Sequence, residues 1–192
     1  MIPAPVMAKL AKDAYRSPAT YENADVHATL AMVDGVTIIT FRGSNDIVAW
    51  WRDFLVFGAD TFSHHELGPV HAGIYGDVMQ IFDMIERDVG DAPVSACGHS
   101  KGAGEAQIYV AERLIRKRPV TQLTTFGAPR IGALNGLLVP VVGDDFADWR
   151  DPVPEVPIWL AHPRPRTYVG ERGIDEISAH LMTNYALRVE HA

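Results

Sequence analysis

The 192-residue chain has one cysteine, Cys97, so no disulfide can close within it, and packing is the expected role of that thiol in its apolar run. No apolar run approaches the ~20 residues needed to span a bilayer. The first residues, Met1-Ile2-Pro3-Ala4-Pro5, lack the basic-then-apolar pattern of a signal peptide, which makes the cytoplasm the expected compartment, with non-classical export left open. A cationic surplus is missing too: net charge is −7, with the acids spread along the chain, so a nucleic-acid partner is not expected. His64-His65-Glu66 with His71 has no paired metal-ligand spacing, and no metal or cofactor is expected.

What the chain does have is apolar residues at 47% and an alternation of strand-like and helix-like runs. The length suits one domain with a sizeable core, and a single domain over 1–192 is expected. Val6 to Tyr15 reads as a helix. Val26 to Val33 and Val36 to Phe41 flank Asp34-Gly35, the signature of a β-hairpin. Ala72 to Val89 reads as a helix and Val94 to Cys97 as a buried strand. Lys101 to Lys117 is the clearest helix, ending on Arg116-Lys117-Arg118 before Pro119. Strands are expected at Val120 to Phe126, Leu137 to Val142 and Arg166 to Val169, and a last helix at Glu176 to Val189. Five prolines make Asp151 to Pro165 an ordered loop. The expected class is α/β: a mostly parallel sheet flanked by helices, with an N-terminal β-hairpin.

The chemistry centres on Gly98-His99-Ser100-Lys101-Gly102, between a strand and a helix. A serine hydroxyl needs a base and exposure to substrate, and a sharp strand-to-helix turn supplies the exposure. Strand and helix backbones crowd two residues either side of the tip, so small residues belong there. The Lys101 N–H at the helix start can stabilise an oxyanion. The alternative is a plain turn with Ser100 as a cap.

On such a scaffold the acid and then the histidine follow the serine. His162, His180 and His191 are the candidates. His180 precedes the helix-like run Leu181 to Leu187 and is favoured over His162 in the proline loop; His191 is penultimate. Among Asp144, Asp145, Asp148 and Asp151, the last heads the rigid Asp-Pro-Val-Pro segment and is favoured; the others read as solvated loop acids.

Several ordered motifs carry a resemblance to the class 3 lipases, the fungal-type triacylglycerol lipases and their bacterial relatives. Phe41-Arg42-Gly43-Ser44 resembles the oxyanion loop, and Val70-His71-Ala72-Gly73-Ile74-Tyr75 resembles V-H-x-G-F. Gly98-His99-Ser100-Lys101-Gly102 resembles G-H-S-x-G, and Thr125 to Gly132 resembles T-F-G-x-P-R-V-G. Asp151-Pro152-Val153-Pro154 resembles D-x-V-P, and His180 sits where the family has its catalytic histidine.

The resemblance implies Ser100 as nucleophile, Asp151 as acid, His180 as base, and Ser44 as second oxyanion donor beside Lys101. His71, Phe126, Pro129 and Arg130 match motif positions read as structural. The implied activity is hydrolysis of acyl esters or lipids through an acyl-enzyme, with transient contact at a lipid interface. An acyltransferase or thioesterase, or a catalytically silent fold, are the alternatives. Lys101 stands where many members have leucine; its side chain is expected to be solvated or to draw anionic substrates. The resemblance implies a fold of α/β-hydrolase type, and the short Asp151-to-His180 interval predicts minimal or no cap. Trp50 and Trp51, just after Ser44, are candidates for a lid or acyl wall, with core packing as the commoner role of such residues.

Overall fold

The computed structural model describes residues 1–45, 60–174 and 177–191. Trp50 and Trp51, and with them the lid or acyl-wall reading, lie outside the described residues.

Nine strands and four α-helices are described: α1 (Ala4–Asp13), β1 (Tyr21–Asn23), β2 (Val26–Val33), β3 (Val36–Phe41), β4 (Thr61–His64), β5 (Gly68–His71), α2 (Ala72–Val89), β6 (Val94–His99), α3 (Lys101–Ile115), β7 (Val120–Phe126), β8 (Asp145–Asp148), β9 (Thr167–Val169) and α4 (Met182–Val189). Seven strands form one sheet in the order β1-β2-β3-β6-β7-β8-β9. β1, β2 and β3 run antiparallel; from β3 to β9 the pairs are parallel. β4 and β5 form a separate hairpin.

The period-2 alternation of the central strands sends side chains to both faces of the sheet. Ile39, Phe41, Ala96 and Leu123 pack on one face with Val78, Ile81 and Phe82 of α2 and Ala106, Tyr109 and Val110 of α3. Ile38, Cys97 and Phe126 pack on the other with Met7, Ala8 and Ala11 of α1 and Met182, Tyr185 and Ala186 of α4. The result is a helix–sheet–helix sandwich, as the alternating pattern predicts. Cys97 is fully buried beside Thr40, in the packing role expected for it. No described helix is long and apolar enough to cross a membrane.

Three expectations need correction. Leu137 to Val142 is not a strand. A 3-10 turn at Leu134–Gly136 and the turns after it already bury Leu134 and Leu138 against the core, so the apolar run needs no sheet pairing. The strand at this place is Asp145–Asp148, whose backbone pairs with β7 and β9. The last helix is split: Ile177–His180 is a 3-10 turn, and Leu181, with extended backbone (ψ 133°), separates it from α4. α1 begins at Ala4 because Pro5 is tolerated in a first turn.

Candidate active site

The carboxyl ends of β3, β6, β7, β8 and β9 share one edge of the parallel sheet, the edge at which α/β folds place ligands. Ser44, Ser100, Gly127, Asp151 and His180 all lie on the segments that leave this edge.

Ser100 occupies the turn between β6 and α3 with φ 59° and ψ −132°, a strained conformation for a residue with a side chain. Its N–H donates to the Phe126 carbonyl at 2.9 Å, which ties the turn to β7. The crowding expected around it is present. A Cβ on Gly98 would lie 2.2 Å from the Gly102 oxygen, and one on Gly102 would lie 2.4 Å from the Phe41 oxygen. No side chain fits at either position without moving backbone. Lys101 opens α3, so its N–H has no acceptor within the helix.

His180 and Asp151 are 1% and 4% exposed. The His180 Nδ1–H donates to Asp151 Oδ2 at 2.6 Å. Two further donors fix this carboxylate: Tyr185 Oη–H to Oδ2 at 2.6 Å and the Val153 N–H to Oδ1 at 2.9 Å. Tyr185 in turn accepts from the Asp148 N–H at 2.9 Å, and burial pushes its phenol well above the ordinary range. With Nδ1 committed as donor, His180 Nε2 is left as an acceptor. Both Nε2 and Ser100 Oγ are buried and lack a hydrogen-bond partner among the described residues. Gly127, at φ +60°, walls the pair: a Cβ there would sit 3.0 Å from both Asp151 Oδ2 and His180 Cε1.

A second polar chain holds the other side of the histidine. His99 Nε2–H donates to the His180 carbonyl at 2.6 Å, so His99 Nδ1 accepts from Tyr15 Oη–H at 2.7 Å. The Tyr15 oxygen also bonds the Gly43 backbone beside Ser44. Burial, and then the neighbouring His180, hold His99 well below the ordinary imidazole range, so it stays neutral. Its ring lies against His180 at 4.7 Å. The break before α4 has a use here: it frees the His180 carbonyl to meet His99. Ser44, His99 and His180 line one cavity of about 230 Å³.

The other histidine and acid candidates have structural duties. His162 Nε2 bonds the Pro154 carbonyl at 2.6 Å, and burial pushes its pKa down to about 4. Asp145 and Asp148 are not solvated loop acids but 1% and 2% exposed on β8. Asp145 accepts from Thr125 Oγ1, and Asp148 pairs with Arg188. Asp144 accepts from Thr167 Oγ1 at 3.0 Å. His191 lies just past α4 at the exposed end of the chain.

Nor is the Lys101 side chain solvated or turned to substrate. Its Nζ meets Asp77 at 2.8 Å, Glu105 at 3.2 Å and the Asp25 carbonyl at 2.8 Å. Burial works against its charge, but Glu105 and Asp77 outweigh that and raise its pKa.

The remaining motif residues brace this frame. His71 caps α2 by accepting from the Ile74 N–H, with its pKa lowered by burial to about 4. His64 Nδ1 accepts from the Glu66 and Leu67 N–H groups of its own turn. Phe126 stacks on Phe146 at 5.5 Å. Arg130 and Arg166 grip the Glu155 carboxylate, each at 2.7 Å, and so fix the segment after Asp151. The sequence does not single out Tyr15, His99 or Gly127 as site residues. The nearest signals were the second position of G-H-S-x-G and the glycine of T-F-G.

The profile of the lipase (class 3) family matches residues 38–160. No curated protein matches the chain. Among solved structures, a fungal lipase superposes with a TM-score of 0.72 at 17% identity, over 95% of this chain and 94% of its own. The Rhizopus microsporus var. chinensis lipase gives 0.69 at 19%, over 89% and 75%. The Rhizomucor miehei triacylglyceride lipase gives 0.62 at 22%, over 79% and 72%. At these identities the superpositions establish a shared α/β-hydrolase fold, while the family profile spans the Phe41-Arg42-Gly43-Ser44 segment, the Ser100 turn and the Asp151 loop. The chain belongs to the class 3 lipase family.

Proposed function

We propose that this chain is a serine carboxylic-ester hydrolase in which Ser100, His180 and Asp151 act as nucleophile, base and acid. The observation that carries the reading is the His180–Asp151 bond of 2.6 Å, with Ser100 Oγ and His180 Nε2 both left unpartnered in the same buried setting. Buried polar atoms without partners are costly, and use in chemistry is one reason a fold retains them.

In this mechanism His180 Nε2 takes the Ser100 proton as Oγ attacks the ester carbonyl. Asp151 holds the ring in the tautomer that leaves Nε2 free and stabilises the imidazolium that forms. The N–H groups of Lys101 and Ser44 receive the oxyanion, aided by the positive end of α3. His180 then protonates the leaving alcohol, and water repeats the sequence to release the acid. The Tyr15–His99 chain holds His180 and the Gly43-Ser44 loop in mutual register. Acyl esters are the substrate class that family membership supports.

The test is reaction of the folded chain with a fluorophosphonate probe, together with turnover of nitrophenyl esters of graded chain length. We expect one label, on Ser100, and turnover that disappears in Ser100→Ala. A folded chain that neither labels at Ser100 nor turns over any ester would refute the reading.

A further inference from the structure

The cavity that Ser44 and His180 share has a second feature. Lys12 and Arg16, one α-helical turn apart around the end of α1, also line it. Neither side chain forms an ion pair or hydrogen bond among the described residues. That sets them apart from most of the chain's other cations. Lys9 pairs with Asp13, Lys101 with Asp77 and Glu105, Arg113 and Arg118 with Glu86, and Arg188 with Asp148. The nearest acid on the same helix, Asp13, is thus already engaged by Lys9 on the exposed face.

The opposite wall is apolar, from Leu181 and Met182. At about 230 Å³ the cavity falls below the ~300–1,000 Å³ of pockets that enclose drug-sized ligands. It suits a short group with an apolar body and a negative end. The chain as a whole carries −7, so two cations in a cavity shared with Ser44 and His180, with no acid paired to either among the described residues, are a local feature and not an extension of its general charge.

We infer that Lys12 and Arg16 form an anion-binding subsite, and that the preferred substrates are short esters carrying a carboxylate or phosphate. The inference rests on the esterase reading above and adds the substrate's charge to it. The negative oxygens would sit between the Nζ of Lys12 and the guanidinium of Arg16, whose planar fork suits paired oxygens. The ester carbonyl would lie toward Ser44 and His180.

Two matched pairs of substrates test it and separate the possible sources of charge. One pair is nitrophenyl pentanoate against the nitrophenyl monoester of glutaric acid, which puts a carboxylate on the acyl chain. The other is glyceryl monobutyrate against its phosphorylated counterpart, monobutyryl glycerol phosphate, which puts a phosphate on the leaving alcohol. For at least one pair, kcat/KM at low salt should favour the anionic member by roughly three- to tenfold, the scale expected of two partly exposed cations. The preference should shrink as salt rises. It should fall to about unity in the Lys12→Gln/Arg16→Gln double variant, survive in Lys12→Arg, and be unaffected by Arg87→Gln on the exposed last turn of α2, away from the cavity.

Equal rates for both members of both pairs would overturn the inference and leave the esterase reading standing. So would an anionic preference that survives in the double variant. Failure to turn over any ester, with no fluorophosphonate label, would overturn both.

Discussion

Two buried charged clusters flank the Ser100 turn, and they are built differently. On the α3 side, Lys101 is held by Asp77, Glu105 and the Asp25 carbonyl, so its ammonium is surrounded by acceptors. On the α4 side, Asp151 takes three donors, from His180, Tyr185 and Val153, yet the chain of bonds stops at His180 Nε2. The first cluster encloses its cation; the second leaves one acceptor unpartnered among the described residues. Both are expensive to desolvate, and only the open one can exchange a proton with a substrate. Their difference separates a cluster closed within the fold from the one proposed above to perform the chemistry, although Lys101 immediately follows Ser100 in sequence.

The largest effect should come from closing the open cluster in the wrong tautomer. Asp151→Asn presents an amide to Nδ1 and should lower kcat by about 10⁴, the scale seen when a triad acid is made an amide. Thermal and urea unfolding should change far less than activity does. If kcat fell by less than tenfold, the two clusters would not differ as described. Lys101→Met should do the reverse and act mainly on stability. Breaking a buried pair costs ~3–5 kcal/mol; we expect about 3 kcal/mol by urea unfolding, because Glu105, its pKa raised by burial to about 8, already favours its protonated form near neutral pH. Tyr185→Phe lies between them. It removes one donor from Asp151 and strands the Asp148 N–H, so about 1–3 kcal/mol of stability and roughly tenfold in kcat should go together.

Sequence pattern reached the open cluster better than the closed one. Ser100 and its two glycines announce themselves because one tight turn demands small residues at fixed spacing. Asp34-Gly35 marks the hairpin for a similar local reason: both residues have positive φ, 50° and 77°. Asp151 and His180 needed the order of motifs as well. The engagement of the Lys101 side chain is not legible because Asp77 is distant in sequence, and nothing local reveals that α2 delivers it. Tyr15 and His99 are 84 positions apart and meet only after α1 packs against the sheet. Asp145–Asp148 hid as a strand because its end residues are acids; Thr125 and Arg188, from other elements, make those positions tolerable. What was legible is set by neighbours in the chain, and what was not is set by neighbours in space.

The smallest effect is a pH dependence specific to the closed cluster. Burial raises the Glu105 pKa to about 8, with the Lys101 charge only partly offsetting it. An acid whose folded pKa lies above its unfolded value of ~4.3 binds its proton more tightly in the native state, so stability falls as pH rises toward the folded value. Asp145, raised by burial to about 6, acts in the same direction at lower pH. His71, His99 and His162 act oppositely: their folded pKa values are depressed by burial, so stability falls as pH drops below ~6.5, where their unfolded forms take up protons. Below about pH 6.5 these contributions oppose one another. Between about pH 6.5 and 8 the Glu105 contribution stands nearly alone among these groups, and urea-unfolding stability should decline there by at most ~1.4 kcal/mol per pH unit. Glu105→Gln should flatten that slope. A slope unchanged in Glu105→Gln would mean that Lys101 keeps the carboxylate ionised throughout, and the α3-side cluster would then be a full ion pair instead of a proton-sharing one.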